Sequence, residues 1–190
     1  LNSPPLGFPT CPEDLVIDDD GKPLRIDKAY SWDAPIANHG LMHMVITNAV
    51  KGDPYPIDTL IIFMANMSWN STMNTSSVRD MLTEKVEGSE KDENGDFKYK
   101  LPFLVVADAF HSEMTAFADL ILPDTTYLER YDTISILDRP ISEPHAVCDA
   151  IRAPVIELDR DVRPWQEVLV DLATRLKFPA FTKEDGTPKY

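Results

Sequence analysis

The sequence predicts an α/β domain with a parallel sheet and an extended β excursion, and three observations carry that expectation. Phe103-Leu104-Val105-Val106-Ala107 is a continuous apolar run rich in β-branched residues, the length and type of a strand covered on both faces. Thr59-Leu60-Ile61-Ile62-Phe63-Met64 is a second run of that kind and predicts a second interior strand. Between them a helical pattern occupies about 76–84. Strand, loop, helix and strand in that order make a right-handed crossover, which joins parallel strands and places both strand ends on one edge of the sheet. The loops after Met64 and after Ala107 are therefore expected to face one ligand, since open α/β sheets bind beyond the carboxyl ends of their strands.

Residues 1–28 are rich in Pro and Asp and read as a leading loop or edge strand. Asp18-Asp19-Asp20-Gly21 is a turn signal, and its spacing lacks the distal Glu of an EF-hand. From 38 to 49, Leu41, Met44, Val45 and Ala49 recur at helical spacing, and Gly52 with Pro54 supplies the stop. His39 and His43 stand four apart on that helix, but HGLMH lacks the Glu that a zinc peptidase places between its histidines, so a structural role is expected. Residues 87–100, EGSEKDENGDFKYK, predict a mobile surface insertion turning at Asn94-Gly95.

The central stretch is 101–130. Asp108 ends the first strand, 114–118 has the length of one helical turn, and Leu120-Ile121-Leu122 predicts another interior strand, closed by Pro123. Asp108, Ser112, Glu113 and Thr115 fall in the crevice beyond the strand ends. The plain alternative is that Asp108 and Ser112 cap the turn. Asp119 and Glu129 flank the third strand, and structural roles are expected for them: Asp119 bonded to backbone amides of the 111–116 turn, and Glu129 or Arg130 fixing the point where the chain leaves the domain. Residues 134–158, interrupted by Pro140, Pro144 and Pro154, predict extended segments. Asp161–Lys177 predicts a helix with Asp161 as N-cap, Pro164 in the first turn and an apolar stripe of Val168, Leu169, Leu172, Ala173 and Leu176, ended by Phe178-Pro179.

Composition narrows the function. A formal charge of −14 over 190 residues argues against nucleic-acid binding, which needs clustered Lys and Arg. No apolar run approaches the ~20 residues of a membrane span, so no direct membrane insertion is expected. Cys11 and Cys148 are too few for an iron–sulfur cluster or a disulfide framework. A hydrolase built on Ser112 or His111 with Asp108 finds no G-x-S-x-G elbow to support it. The sequence begins without an initiator Met, a basic region or an apolar signal core, and the expectation is a piece of a longer protein.

The string Asp108-Ala-Phe110-His-Ser112-Glu113-Met-Thr115-Ala-Phe-Ala118-Asp119-Leu-Ile-Leu122-Pro123, followed by Glu129, resembles the pattern D-x-F-x-T-E-T-A-x-x-A-D-hydrophobic-hydrophobic-L-P, then E, of the dimethyl-sulfoxide-reductase family of molybdopterin oxidoreductases. Ser112 replaces the usual Thr, Met114 the second Thr, Thr115 the Ala, and Tyr131-Asp132 stand where a Gly is common. The resemblance covers roughly 28–181 and extends, in the Tyr- and Pro-rich stretches at 29–35 and 53–56, toward the polysulfide, thiosulfate and sulfite branch. It implies a Rossmann-like nucleotide-binding fold that holds the guanosine and phosphate end of a molybdopterin guanine dinucleotide. The cofactor contacts it implies are Asp108, Ser112 and Thr115, with Asn66 and Ser68 from Ala65-Asn66-Met67-Ser68, which occupies the family's G-x-N-P turn without its Gly or Pro and leaves the register of Asn66 open. No catalytic residue and no metal ligand is expected within this chain. An iron–sulfur cluster is expected outside it, and the partners implied are other domains of a parent chain and an iron–sulfur electron-transfer subunit.

The domain organisation expected is therefore 1–28 leading in, 29–129 as the cofactor-binding α/β domain, 130–158 as an excursion toward a neighbouring domain, and 159–190 as the returning helix and tail. Taken alone the chain is expected to be inactive. The alternative is an acidic partner-docking module that keeps a nucleotide-binding fold without catalysis.

Overall fold

A computed structural model describes residues 25–28, 40–69, 74–91, 93–134 and 150–189. The expectations for 1–24, His39, Cys11 and Cys148 lie outside the described residues. The structure is α/β with a small parallel three-stranded sheet. A 3-10 turn, Met42–Met44, leads into helix α1, Val45–Lys51. Strand β1 is Thr59–Phe63, α2 is Thr75–Leu82, β2 is Phe103–Asp108 and β3 is Leu120–Pro123. Strands β4, Asp132–Ile134, and β5, Ala150–Arg152, pair antiparallel, Asp132 opposite Arg152. The last helix, α3, is Trp165–Arg175.

Strand order in the sheet is β1-β2-β3, so the strand expected to be covered on both faces is the central one. Leu104, Val105, Val106 and Ala107 are all buried. The other two strands were expected to be interior and are not: among the described residues they form the edges. Only Ile62 of β1 is buried, and Leu120 and Ile121 of β3 are about two-fifths exposed, at 43% and 39%. A run of apolar residues cannot by itself distinguish a central strand from an edge strand, because the distinction lies in what packs on it. The direction of β3 follows from two bonds, Asp119 N–H to the Leu104 carbonyl at 2.9 Å and Asp124 N–H to the Asp108 carbonyl at 3.0 Å. Both strands advance together, which makes the pair parallel.

The chain divides into two compact units. The first runs to Val106 and takes in His111–Ile121, and the second comprises Ala107–Phe110 and the chain from Leu122 onward. In the first unit α1 and α2 pack together, and Ile46, Val78, Val106 and Met114, each fully buried, lie in one hydrophobic cluster. Helix α1 ends as expected at Gly52, whose φ of 69° is left-handed. The Asp53 N–H reaches the Asn48 carbonyl at 3.0 Å and the Gly52 N–H reaches that of Ala49 at 3.3 Å, the pair of bonds that closes a helix around a left-handed residue. Asn48, itself buried, donates its amide to the Ile26 carbonyl at 2.7 Å, tying the helix to the 25–28 turn.

The described residues of 87–100 are mostly exposed, as expected, yet they fold back as a hairpin-like arm. Lys85 bridges Tyr99 and Lys91 bridges Phe97 in antiparallel fashion, with Gly95 at φ 83° in the turn. Its ammonium groups sit over its own rings, Lys85 5.3 Å from the Tyr99 centroid and Lys91 5.4 Å from that of Phe97. Such contacts compensate in part for the missing apolar core.

In the second unit α3 departs from expectation at its start. Asp161 does not cap it. Pro164 occupies the N-cap position without a side-chain bond, and the Trp165 N–H donates to the Asp124 carboxylate at 3.0 Å. The end falls where Phe178-Pro179 foretold. Phe178 N–H bonds the Ala173 carbonyl at 3.0 Å and Lys177 N–H that of Thr174 at 2.9 Å, with Lys177 left-handed at φ 57°. Of the apolar stripe only Ala173 is buried, while Leu169, Leu172 and Leu176 are exposed.

Candidate functional site

The motif's residues are divided between the two units. In the first unit the 3-10 helix Glu113–Phe117 takes the place of the expected single turn. Met114 is fully buried, and that side chain anchors the turn in the core. Thr115 is also buried and spends its hydroxyl on the turn itself, donating to the Ser112 carbonyl at 2.7 Å.

Ser112 holds the N-cap position in extended backbone, φ −121° and ψ 172°, and makes no capping bond with its side chain. Its Oγ is buried and has no hydrogen-bond partner. The capping alternative therefore fails for Ser112. A buried hydroxyl left unpaired costs about 1–3 kcal/mol, and a ligand oxygen that met Ser112 Oγ would remove that cost. This is the observation by which the site fits a phosphate- or ribose-bearing group.

The loop after β1 reaches the same turn. Asn66 donates its side-chain amide to the Glu113 carboxylate, and Ser68 donates its hydroxyl to Asn66 Oδ1 at 3.0 Å. The two loops expected to converge do so at this pair. Ser68 is buried, 1% exposed, which makes it a support for Asn66 rather than an open contact. The Asn66 carbonyl closes the loop by accepting from the Trp69 N–H at 3.1 Å. Glu113 is held below the usual carboxylate range, first by its own backbone N–H, then by Asn66, with the Arg79 guanidinium adding attraction.

In the second unit Asp108 ends β2, and its Oδ1 accepts from the Phe110 N–H at 3.2 Å. The turn-capping alternative holds for this oxygen, and Oδ2 is left for another donor.

Asp119 is an anchor, but not of the turn it was expected to hold. Its carboxylate accepts from the Leu104 N–H at 2.7 Å, and its own N–H returns the bond to the Leu104 carbonyl. The strand that follows Asp119 pairs with β2, and that pairing brings the strand amide nearer than the turn.

A network that the sequence reading missed lies in the second unit around Asp124 and Arg130, whose side chains are 1% and 3% exposed. Arg130 donates to Asp124 at 2.6 Å, to the Thr125 carbonyl at 3.1 Å and to Asp132 at 3.2 Å. Arg152 joins from β5 through Asp132 at 3.1 Å and lies 4.7 Å over the Tyr127 ring. Glu129 accepts from the Thr126 N–H and hydroxyl, both at 2.8 Å, and pairs with Arg160. These bonds, the Thr126 N–H first, hold its carboxyl below the usual range. Structural roles expected for Glu129 and Arg130 agree with these partners. Asp124 carried only a weak local signal, since its second partner Trp165 is 41 residues away.

An open recess of about 810 Å³ lies against Lys177, Lys183, Asp185 and Lys189, and none of the sequence-predicted residues lines it. Among the described residues no three His, Cys, Asp or Glu side chains gather as a metal ion would need. No helix among them is long and apolar enough to cross a membrane.

A family model of molybdopterin oxidoreductases matches residues 60–175. The chain belongs to the molybdopterin oxidoreductase family. Over all 190 residues it is 59% identical to a sulfite dehydrogenase subunit of Allochromatium vinosum. It is 30% identical over 140 residues, 74% of its length, to the thiosulfate reductase molybdopterin-containing subunit of Salmonella typhimurium, and 28% identical over 144 residues, 75% of its length, to a tetrathionate reductase subunit of the same organism. It spans 19%, 16% and 13% of those proteins respectively. The relatives are bacterial oxidoreductase subunits named for sulfur compounds, the branch toward which the resemblance pointed.

Proposed function

We propose that this chain is the part of a sulfur-compound oxidoreductase subunit that holds the guanosine and phosphate end of a molybdopterin guanine dinucleotide in a Rossmann-like domain. The single observation that carries the reading is the buried, unpaired hydroxyl of Ser112 at the head of the 113–117 turn, inside the stretch that the family model covers. Ser112 Oγ donates to a phosphate or ribose oxygen. Asp108 Oδ2 accepts from the N1–H and N2–H donors of guanine, a charge-assisted contact of about 1.5–3 kcal/mol. Within the first unit Asn66 presents its second amide proton to the group that Ser112 meets, Ser68 supports Asn66, and Thr115 holds the turn.

When bound, the pterin-held metal supplies the redox chemistry, and the residues of this chain bind and orient the group that carries it. The iron–sulfur cluster, the metal ligand and the substrate pocket belong to other parts of a longer subunit, which works with an iron–sulfur electron-transfer partner. The chain alone is then inactive. The docking-module alternative has less support, because identity to a sulfite dehydrogenase subunit runs the whole length of the chain.

The experiment is Asp108→Asn and Ser112→Ala in the full-length subunit, with GMP released by acid hydrolysis measured per mole of folded protein. Asp108→Asn is expected to lower occupancy most, roughly tenfold or more under limiting cofactor for a lost charge-assisted bond. Full GMP content in both variants would sink the reading.

A further inference from the structure

The Asn66–Glu113 bond joins two loops that are 47 residues apart in sequence, and its chemistry is directional. A carboxylate below its usual protonation range only accepts, so Nδ2 of Asn66 must face Glu113. The flipped amide would set Oδ1 against the carboxylate. Ser68 fixes that orientation from the other side, because its hydroxyl hydrogen is given to Asn66 Oδ1 at 3.0 Å. Ser68 is itself buried, so it cannot swing away without losing that partner. The Asn66 amide is thus gripped at both ends, with one Nδ2 hydrogen still to give.

We propose that Glu113 is a positioning residue that acts through Asn66: it fixes the loop after β1 so that the second amide hydrogen of Asn66 meets an acceptor oxygen of a nucleoside diphosphate. The inference rests on the cofactor reading above and adds a residue that need not touch the ligand. The Glu113 carboxyl is held below its ordinary value first by its own backbone N–H, then by Asn66, and least by the Arg79 guanidinium. Pre-organisation of this kind raises affinity by removing the ordering that the loop would otherwise undergo on binding.

The test uses the full-length subunit stripped of cofactor, with GDP as the probe and its affinity measured by calorimetry, alongside GMP content of the loaded protein. Glu113→Ala is expected to weaken GDP binding about tenfold, the scale of one charge-assisted hydrogen bond. Glu113→Gln keeps an acceptor oxygen for Asn66 and is expected to recover affinity to within about threefold of the original, since a neutral bond is roughly half as strong. Asn66→Ala with Glu113→Ala is expected to be no weaker than Asn66→Ala alone, because the two act as one unit. Equal losses in Glu113→Ala and Glu113→Gln would overturn the proposal, as would unchanged affinity in Glu113→Ala while Asp108→Asn loses it. If Asp108→Asn, Ser112→Ala and Glu113→Ala all bind GDP as the original does, the cofactor reading falls and this inference with it.

Discussion

The two units bury different chemistry. What the first hides is mainly aliphatic: Ile46, Val78, Val106 and Met114 at its centre, with Ile62, Leu82 and Leu104 around them. The second hides Asp124, Thr125, Arg130 and Thr182, and its buried apolar residues are only Ala107 and Ala173 among the described residues. One is held by removing apolar surface from water, worth about 1.5–3 kcal/mol for each large side chain fully buried. The other is held by a polar network, satisfied except at the buried Arg152 Nε, whose parts cost much to break and contribute little in net terms when intact. The difference teaches that the second unit is specified more by direction and charge than by burial, and that it is the more sensitive to its surroundings.

The largest effect is expected where a buried charge would lose its partner. Asp124→Ala takes from Arg130 its shortest bond, at 2.6 Å, and from the Trp165 N–H its carboxylate acceptor, at a cost of about 3–5 kcal/mol. Amide exchange should show the loss confined to residues after Leu122, with α3 opening first. If protection in the first unit fell equally, the contrast between the units would be wrong.

Next is a cavity in the aliphatic unit. Met114→Ala is expected to cost about 2–5 kcal/mol, read as a lower thermal midpoint, and to loosen the 113–117 turn while exchange in the second unit stays as before. Loss of protection around Asp124 in this variant would also break the comparison.

Acid gives the smallest and most graded effect. Glu129, Asp171 and Asp185 in the second unit are all lowered, Glu129 first by the Thr126 N–H, Asp171 first by Arg175 and Asp185 first by the Thr187 hydroxyl. In the first unit Glu113 is lowered. A carboxyl lowered on folding adds stability above its unfolded value, and that contribution fades as the pH falls through the folded value. The second unit should therefore lose protection first as the pH drops below the ordinary glutamate value of 4.5, and earlier in high salt, which screens exposed pairs such as Arg175–Asp171. Exchange measured between neutral pH and about pH 3, below the ordinary carboxylate values, would show the order.

The sequence by itself determined the elements that depend on neighbours in the chain. The run at 103–107 announced a strand covered on both faces, and Gly52 and Phe178-Pro179 announced where two helices stop. Asp108, Ser112 and Asp119 stood out by residue type and spacing alone. Those signals are local because strand period, left-handed caps and the conformational limits of Pro act over a few residues. Only the tertiary structure decided that β1 and β3 are edges, since apolar content says nothing of what will cover it. Only the structure gave α3 its N-terminal partner in Asp124, passing over Asp161, and gave Asp119 the Leu104 amide. It likewise left Ser112 Oγ unpaired while Thr115 and Asp108 found partners within their own turns. A hydrogen bond is a matter of a few tenths of an ångström between groups that the chain brings together from 15, 41 or 47 residues away, and no local pattern encodes that distance.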